Sequence, residues 1–327
     1  MRVIAPGRVN LIGDHTDYTG GLVFPMAIDR YTTIEYEHTG TTVSLDSSDM
    51  PGRVAFDVND SFDAAMEPSW GRYVSAVASL MKSPVGISGH VSTTIPVGAG
   101  LSSSAALELA SALAMGSNLP ATELAVLTQC AEQLATGVPT GIMDQLCIAS
   151  ARSGHGTVID CHTLEVTHVP IPIDIKIVVR FIAHRTLVGS EYSDRVAQCA
   201  AAEAIIGPLR LATLSMLDTI DDIVIRNRAQ HVISENQRVR DFVHALSGGD
   251  YVGAGALMTE GHHSLSTHFG SSTTQMDDVV REMNTVPGVY GARMTGGGFG
   301  GCIVALCTPT SELDGWHVTP SGPPTTA

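Results

Sequence analysis

Lysine is almost missing from this chain: it has two, Lys82 and Lys176, among 18 basic residues set against 33 acidic ones, for a formal net charge of −15 at pH 7. That balance excludes a general nucleic-acid binder and a partner for anionic membrane surfaces. An anionic ligand would have to be met by backbone amides, a metal ion or a few placed arginines. No segment approaches the roughly 20 apolar residues needed to span a bilayer, and the opening stretch MRVIAPGRVN has no apolar core of a signal peptide. The six cysteines (Cys130, Cys147, Cys161, Cys199, Cys302 and Cys307) include no C-x-x-C pair. They read as reduced thiols of a soluble, cytoplasmic protein rather than as a disulfide or zinc framework. No repeat of fixed period occurs.

What is present is a globular composition, 44% hydrophobic and 16% charged over 327 residues, enough for one large domain or two ordinary ones. Apolar and β-branched runs predict strands near Val23–Met26, Thr32–Tyr36, Thr42–Leu45 and Val91–Ile95. The Ala- and Leu-rich stretch from Ser102 to Gly116 predicts a helix opened by capping-type serines, and a second helix runs from Ala121 to a stop at Gly137. Strands are expected in HGTVIDC and DIKIVVRFIA, with HVPIPID between them as the inter-domain passage. Residues 190–206, Arg226–Leu246 and Met276–Asn284 read as helices, and GVYGARMT and CIVALC as strands. The last residues, TPSGPPTTA, have the composition of a frayed end. The order of elements predicts an α+β protein of two domains, 1–170 and 171–327.

Four stretches carry chemistry. GDHTDYTGG places Asp14, His15 and Asp17 close together between glycines, just after the lone Arg8 of APGRVNLI. In IPVGAGLSSSAALE, Gly98 and Gly100 precede a helix whose first amides and positive dipole end suit an anion. Ser102, Ser103 and Ser104 add hydroxyls able to cap the helix, bind phosphate or ligate Mg²⁺. The loop lacks the lysine of a Walker A motif and the third glycine of a dinucleotide fingerprint, so an ordinary capped turn remains an equal reading. MTGGGFGGC is too dense in glycine for turn chemistry alone and suggests close backbone packing around a ligand or against the first loop. In CAEQLATGVPTGIMDQ, Asp144 sits in an apolar context that favours a function. Glu132 taken alone reads as a solvated helix residue; together the two match the needs of phosphoryl transfer, a hard oxygen for Mg²⁺ and a proton acceptor.

Taken together these stretches resemble the GHMP kinase superfamily and, within it, galactokinases. GRVNLIGDHTDYTGG is similar to the galactokinase signature, VGAGLSSSAALE to the phosphate loop, and GIMDQ and GARMTGGGFGGC to further motifs. WGRYVSAV near Trp70, LVGSEYSDRVAQC near Tyr192 and GHHSLS near His262 fill the gaps. The resemblance implies two lobes, a ribosomal-protein-S5-domain-2-like N-terminal lobe and a ferredoxin-like C-terminal lobe. It implies ATP-dependent phosphorylation of a hexose at its anomeric hydroxyl, most simply galactose. Asp144 falls on the proton acceptor and Arg8 on the transition-state stabiliser. Gly98, Ala99, Gly100, Leu101, Ser102, Ser103 and Ser104 fall on the ATP loop, with Ser104 and Glu132 on the Mg²⁺ positions. Asp14, His15, Asp17, Gly141 and Tyr192 fall on the sugar contacts, and Trp70 on an adenine-packing position. His262, His263 and His268 are read as structural.

The chain departs from galactokinases in four places. Asp14 stands where glutamate is usual, Thr19 and VPT replace commoner residues, and the pattern shortens after Cys307. The first departure motivates an alternative, a kinase for a related or modified hexose. A catalytically silent sugar and ATP sensor is the reading from a different class; the retained Arg8, Asp144, Glu132 and GLSSSAA argue against it. The expected partners are a sugar and ATP, with no nucleic acid and no membrane.

Overall fold

The computed structural model describes residues 1–184 and 191–327. The chain opens with β1 (Arg2–Ile12), β2 (Leu22–Gly40), β3 (Thr42–Ser47) and β4 (Val54–Asp57). There follow α1 (Gly71–Leu80), β5 (Gly86–Thr93), α2 (Ser103–Ala114), α3 (Ala121–Thr136) and α4 (Met143–Ala149). β6 (His155–Asp160), β7 (Glu165–Pro170) and β8 (Lys176–Ala183) lead to α5 (Tyr192–Ile206), α6 (Ile223–Ser247), α7 (Tyr251–Ser264) and α8 (Thr274–Met283). β9 (Val289–Thr295), β10 (Gly301–Cys307), β11 (Trp316–Val318) and β12 (Thr325–Thr326) close it.

Among the described residues, eight strands form one sheet in the order β12-β1-β2-β5-β3-β4, with β6 on β2 and β7 on β6. Four more form a second sheet, β11-β8-β10-β9. Every residue of β10 is buried, and its alternation explains how. Cys302, Val304 and Leu306 enter the core shared with the first sheet, whereas Ile303, Ala305 and Cys307 enter a second core under α5, α6 and α8. Period-two side-chain direction thus places the second sheet between two apolar layers. α6 joins the same two cores: Ala229 and Val232 pack in the second, and Val239, Phe242 and Leu246 in the first.

The first strand is shaped to receive a loop. β1 slips register between Pro6 and Gly7. There the Arg8 amide donates to the Leu101 carbonyl at 3.1 Å, and a Cβ on Gly7 would lie 2.7 Å from that oxygen. Glycine therefore lets the glycine–serine loop press against β1. β2 is one long strand where the pattern suggested two, and β1, α1, α4, α7 and β7 carried no expectation from the sequence. β5 starts five residues before the expected Val91. All six cysteines are free thiols, and among the described residues no helix is long and apolar enough to cross a membrane.

The C-terminal stretch corrects an expectation. Residues 319–327 are docked, not frayed, because their backbone satisfies groups that edges would leave open. Asp29 N–H donates to Thr319 O at 3.2 Å, Ser321 N–H to Ala27 O at 2.9 Å, and Gly154 N–H to Pro320 O at 3.2 Å. Arg2 and Ala327 exchange bonds of 2.7 and 2.8 Å. β11 pairs with β8, which would otherwise be an open edge of the second sheet. Truncation after Val318 should lower the thermal midpoint by roughly 5 °C or more, since several backbone bonds worth about 1 kcal/mol each are lost. Differential scanning calorimetry checks this; an unchanged midpoint would show the strap to be energetically idle.

Candidate active site

The loop joining β1 to β2 is tied to itself. Thr16 Oγ1 bonds to the carbonyls of Gly13 and Leu22 at 2.9 and 2.6 Å, and Gly21 N–H donates to Thr16 O at 2.8 Å. This holds His15 in a left-handed conformation, φ 66°, and a single 3₁₀ turn over Asp17–Thr19. The His15 ring lies 4.4 Å from Phe269 and 5.7 Å from Tyr192, and its Nδ1 is 3.0 Å from the Tyr18 hydroxyl. Gly141 is needed beside this turn, because a Cβ there would strike the Asp17 carboxylate.

Arg8 on β1 is 2% exposed, and its guanidinium faces Asp144 in the first turn of α4. Nε and Nη2 of Arg8 lie 2.7 and 2.5 Å from Asp144 Oδ1, while Nη1 donates to the Gly100 carbonyl at 2.6 Å. Burial opposes the charge of Arg8, but Asp144 beside it holds the guanidinium above its ordinary range. Ser102 takes a left-handed conformation, φ 61°, and its hydroxyl donates to Asp144 Oδ2 at 2.5 Å. The serine expected to cap α2 makes no cap bond; its side chain is committed to the carboxylate instead.

Behind this pair, Ser104 Oγ donates to Glu132 Oε1 at 2.7 Å. Gln145 Nε2 donates to Glu132 Oε2 at 2.7 Å and to the fully buried Glu108 at 3.1 Å. Glu132 is buried, not the solvated helix residue its own surroundings in the sequence suggested. Burial, then the charge of Asp144, pushes its carboxyl above the usual range. Burial and Glu132 push Glu108 well above it. Mg²⁺ prefers a few hard oxygen ligands completed by water and phosphate. Ser104 and Glu132 fit that donor set, and a cation there would relieve the crowding of acids. Among the described residues no three His, Cys, Asp or Glu side chains converge as a self-contained metal cage, His262, His263 and His268 included. His262 accepts the Met294 amide at 3.2 Å, and burial lowers its pKa to about 4.

Two cavities meet at this point. A narrow one is walled by Arg8, Asp14, His15, Asp17, Gly141 and Tyr192, with Gly296 and Gly297 across from them. A cleft of about 510 Å³ is walled by Gly98, Gly100, Ser102, Ser103, Ser104 and Trp70. Glu132, Thr140 and Asp144 line both. Ala99 and Leu101 face the core, so these two contribute backbone only. Trp70 is 4% exposed, with its indole N–H on the Pro51 carbonyl at 3.2 Å. The glycine run from Gly296 packs against Asp14 of the β1–β2 loop and against Ser271, not against the Gly98 loop. Of the LVGSEYSDRVAQC stretch, residues 187–190 lie outside the described residues.

Sequence reasoning passed over Arg293, Glu235, Gln145 and Glu108. Arg293 Nη2 donates to Asp14 Oδ2 at 2.7 Å, and the Gly296 amide donates to Asp14 Oδ1 at 2.7 Å. Burial raises the Asp14 carboxyl against the pull of Arg293. Arg293 and Gln145 both stand inside quoted motifs, but nothing local tells which distant carboxylate each one meets.

Comparison with known proteins places these features in a family context. Residues 1–38 match the galactokinase galactose-binding signature, 72–152 the GHMP kinases N terminal domain, and 242–314 the GHMP kinases C terminal domain. The chain is 39% identical over 331 residues to the galactokinase of Chloroflexus aggregans, covering 92% of this chain and 82% of that protein. It is 39% identical over 328 residues to the galactokinase of Bos taurus, covering 94% and 83%. The structure of Lactococcus lactis galactokinase complexed with galactose superposes with a TM-score of 0.90 at 28% identity, over 99% of this chain and 94% of that one. A mevalonate kinase structure, at TM-score 0.70 and 19% identity over 98% of both chains, shares the fold.

Burial and the neighbouring Asp144 raise the Asp17 carboxyl to about 7. The folded state therefore holds a proton that the unfolded chain releases near pH 4, and stability falls as pH rises through that interval to about 7. An Asp17→Asn variant should lack this decline. Its thermal midpoint, measured from pH 5 to 8, should gain on the wild type as pH rises; parallel curves would contradict the shift. Carbon-13 titration should find a wild-type carboxyl near 7 that moves down in Asp144→Asn.

Proposed function

The chain belongs to the galactokinase family of GHMP kinases, and from that premise we propose that it transfers the γ-phosphoryl group of ATP to the anomeric hydroxyl of galactose, giving α-D-galactose 1-phosphate and ADP. One observation carries the reading: the two cavities share Asp144 and Glu132, so a hydroxyl in one and a phosphate in the other meet at a carboxylate.

In this reading the narrow cavity holds the hexose. Asp14, His15, Asp17, the Gly141 backbone and Tyr192 read its hydroxyls through short, ordered side chains. Charge-assisted hydrogen bonds of this kind are worth about 1.5–3 kcal/mol each, enough to separate sugars that differ at one carbon. The cleft holds ATP, with the triphosphate at the Gly98–Ser104 loop and the start of α2, where amides and the helix dipole favour anions. Trp70 forms part of the cleft wall available to adenine. Ser104 and Glu132 are the residues that would hold Mg²⁺, and the bound ion would offset triphosphate charge.

The chemistry asks two things of the protein's own groups. Asp144 takes the proton from the anomeric hydroxyl as that oxygen forms its bond to the γ-phosphorus, and the bond from phosphorus to the β–γ bridging oxygen breaks to release ADP. Arg8 stabilises the negative charge gathering between the two oxygens. Its planar fork already spans Asp144 and Gly100, so little reorganisation is required when the charge develops. Alignment of the two reactants supplies the rest.

Asp144→Asn should lower kcat by roughly 10²–10⁴-fold while galactose still binds, the range for loss of a general base. A sugar panel followed by ADP release tests the substrate. Galactose should give the highest kcat/KM, and a far higher value for another hexose would replace it with the related-hexose reading motivated by Asp14. A silent sensor would show no turnover for Asp144→Asn to remove.

A further inference from the structure

Beneath the loop that carries Asp14 lies a cluster of buried charge that phosphoryl transfer itself does not use. Arg293 on β9 is fully buried and lines neither cavity. Its Nη2 meets Asp14 at 2.7 Å, and its Nη1 donates to Glu235 Oε1 on α6 at 2.8 Å. The same Glu235 oxygen accepts the Gly13 amide at 2.9 Å, and Oε2 accepts Arg238 Nε at 2.6 Å. His231 Nε2 stands 3.1 Å from the Asp14 carbonyl, and Ser264 steadies its other nitrogen at 2.9 Å. The first two residues of the loop are thus gripped from α6, β9 and the Gly296 run.

α7 is shaped for this arrangement. A Cβ on Gly261 would lie 2.6 Å from Arg293 Nη1 and 3.3 Å from Glu235 Oε2, so the helix is notched where the guanidinium passes. The GHHSLS stretch now has a physical account: Gly261 is the notch, His262 accepts the Met294 amide beside Arg293, and Ser264 holds His231.

We infer that Arg293 is a specificity-determining positioning residue for the sugar: its fork fixes Asp14 and Glu235 together and thereby sets where the Asp14 carboxylate stands on the cavity wall. A guanidinium offers two separate N–H vectors at fixed angle, which a lysine ammonium cannot reproduce. As buried ion pairs are seldom a net source of stability, placement is the better explanation for keeping four charged groups there. This inference rests on galactose as the substrate.

The test compares Arg293→Lys, Arg293→Met and the double variant Arg293→Met/Glu235→Gln. The double variant removes one charge of each sign and so restores the balance of the cluster. Galactose affinity is read by calorimetry, KM for galactose and ATP by steady-state kinetics, and folding by the thermal midpoint. Arg293→Lys should raise galactose KM about tenfold or more, with ATP KM within about twofold, as expected for loss of one charged hydrogen bond. The double variant should recover much of the thermal midpoint lost in Arg293→Met yet keep the raised galactose KM. A role confined to stability predicts instead that affinity returns with the midpoint, and that result, or an equal rise in both KM values, would overturn the inference. Should Arg293→Met not fold, the lysine and double variants decide. Wild-type protein that binds no galactose would overturn the substrate reading and the inference together, whereas wild-type binding matched by all variants would overturn the inference alone.

Discussion

Burying a guanidinium costs several kcal/mol unless a counter-charge and hydrogen bonds meet it, and Arg8 is buried with its partners already in place. The Arg8–Asp144 contact organises the site. It brings the middle of β1 against the first turn of α4, and that apposition draws in the Gly98–Ser104 loop through Gly100 and Ser102. Ser102 holds a left-handed backbone that most residues avoid, a conformation of the kind that persists where surrounding contacts over-determine it. With Arg8 on one oxygen and Ser102 on the other, the Asp144 carboxylate has little freedom. In its proposed role as proton acceptor, a carboxylate fixed in this way would lose little entropy on meeting a substrate.

Among the described residues that line the larger cleft, three are acids (Asp49, Glu132 and Asp144) against one basic side chain, Arg72, which looks contradictory for the proposed polyanionic nucleotide in a chain of net charge −15. The contradiction resolves through the separate duties of the acids. Burial raises the carboxyl of Glu132, which faces the cleft, and that of Glu108 behind it above the usual carboxylate range, which disfavours negative charge at both. A divalent ion held by Glu132 and Ser104 would reverse that preference and supply the positive charge that lysine does not. Both lysines stand elsewhere: neither Lys82 nor Lys176 lines either cavity.

How much of this the sequence disclosed depends on the range of each interaction. α2 and α3 were legible because Ala- and Leu-rich periodicity and glycine stops are local signals, and α3 does end on Gly137 in the left-handed region. The motif strings located both cavities, since Arg8, Asp14 to Asp17 and Gly98 to Ser104 each fall within a short stretch. β1 went unread because Pro6 and Gly7 break its pattern at the very point where the Gly98–Ser104 loop presses in. The docked C-terminus went unread because its order comes from partners such as Arg2 and Ala27 almost a full chain length away. Arg293 was hidden for the same reason: it pairs with a residue 279 positions distant, and no spacing rule encodes that.

The two cavities also differ in ownership, and this bears on how substrates enter. Every described residue lining the larger cleft lies between Thr32 and Asp144, so the side proposed for the nucleotide is built within the first part of the chain. The narrow cavity needs both parts, with Tyr192, Gly296 and Gly297 facing Arg8 and Asp17. Drawing the two parts fully apart would break the Asp14–Arg293 pair and the Gly13–Glu235 bond and leave Asp14 without its counter-charge, a penalty of several kcal/mol. Among the described residues no such pair ties the larger cleft to the second part of the chain. Emptying and refilling the larger cleft, the side proposed for the nucleotide, therefore requires no separation at the buried cluster.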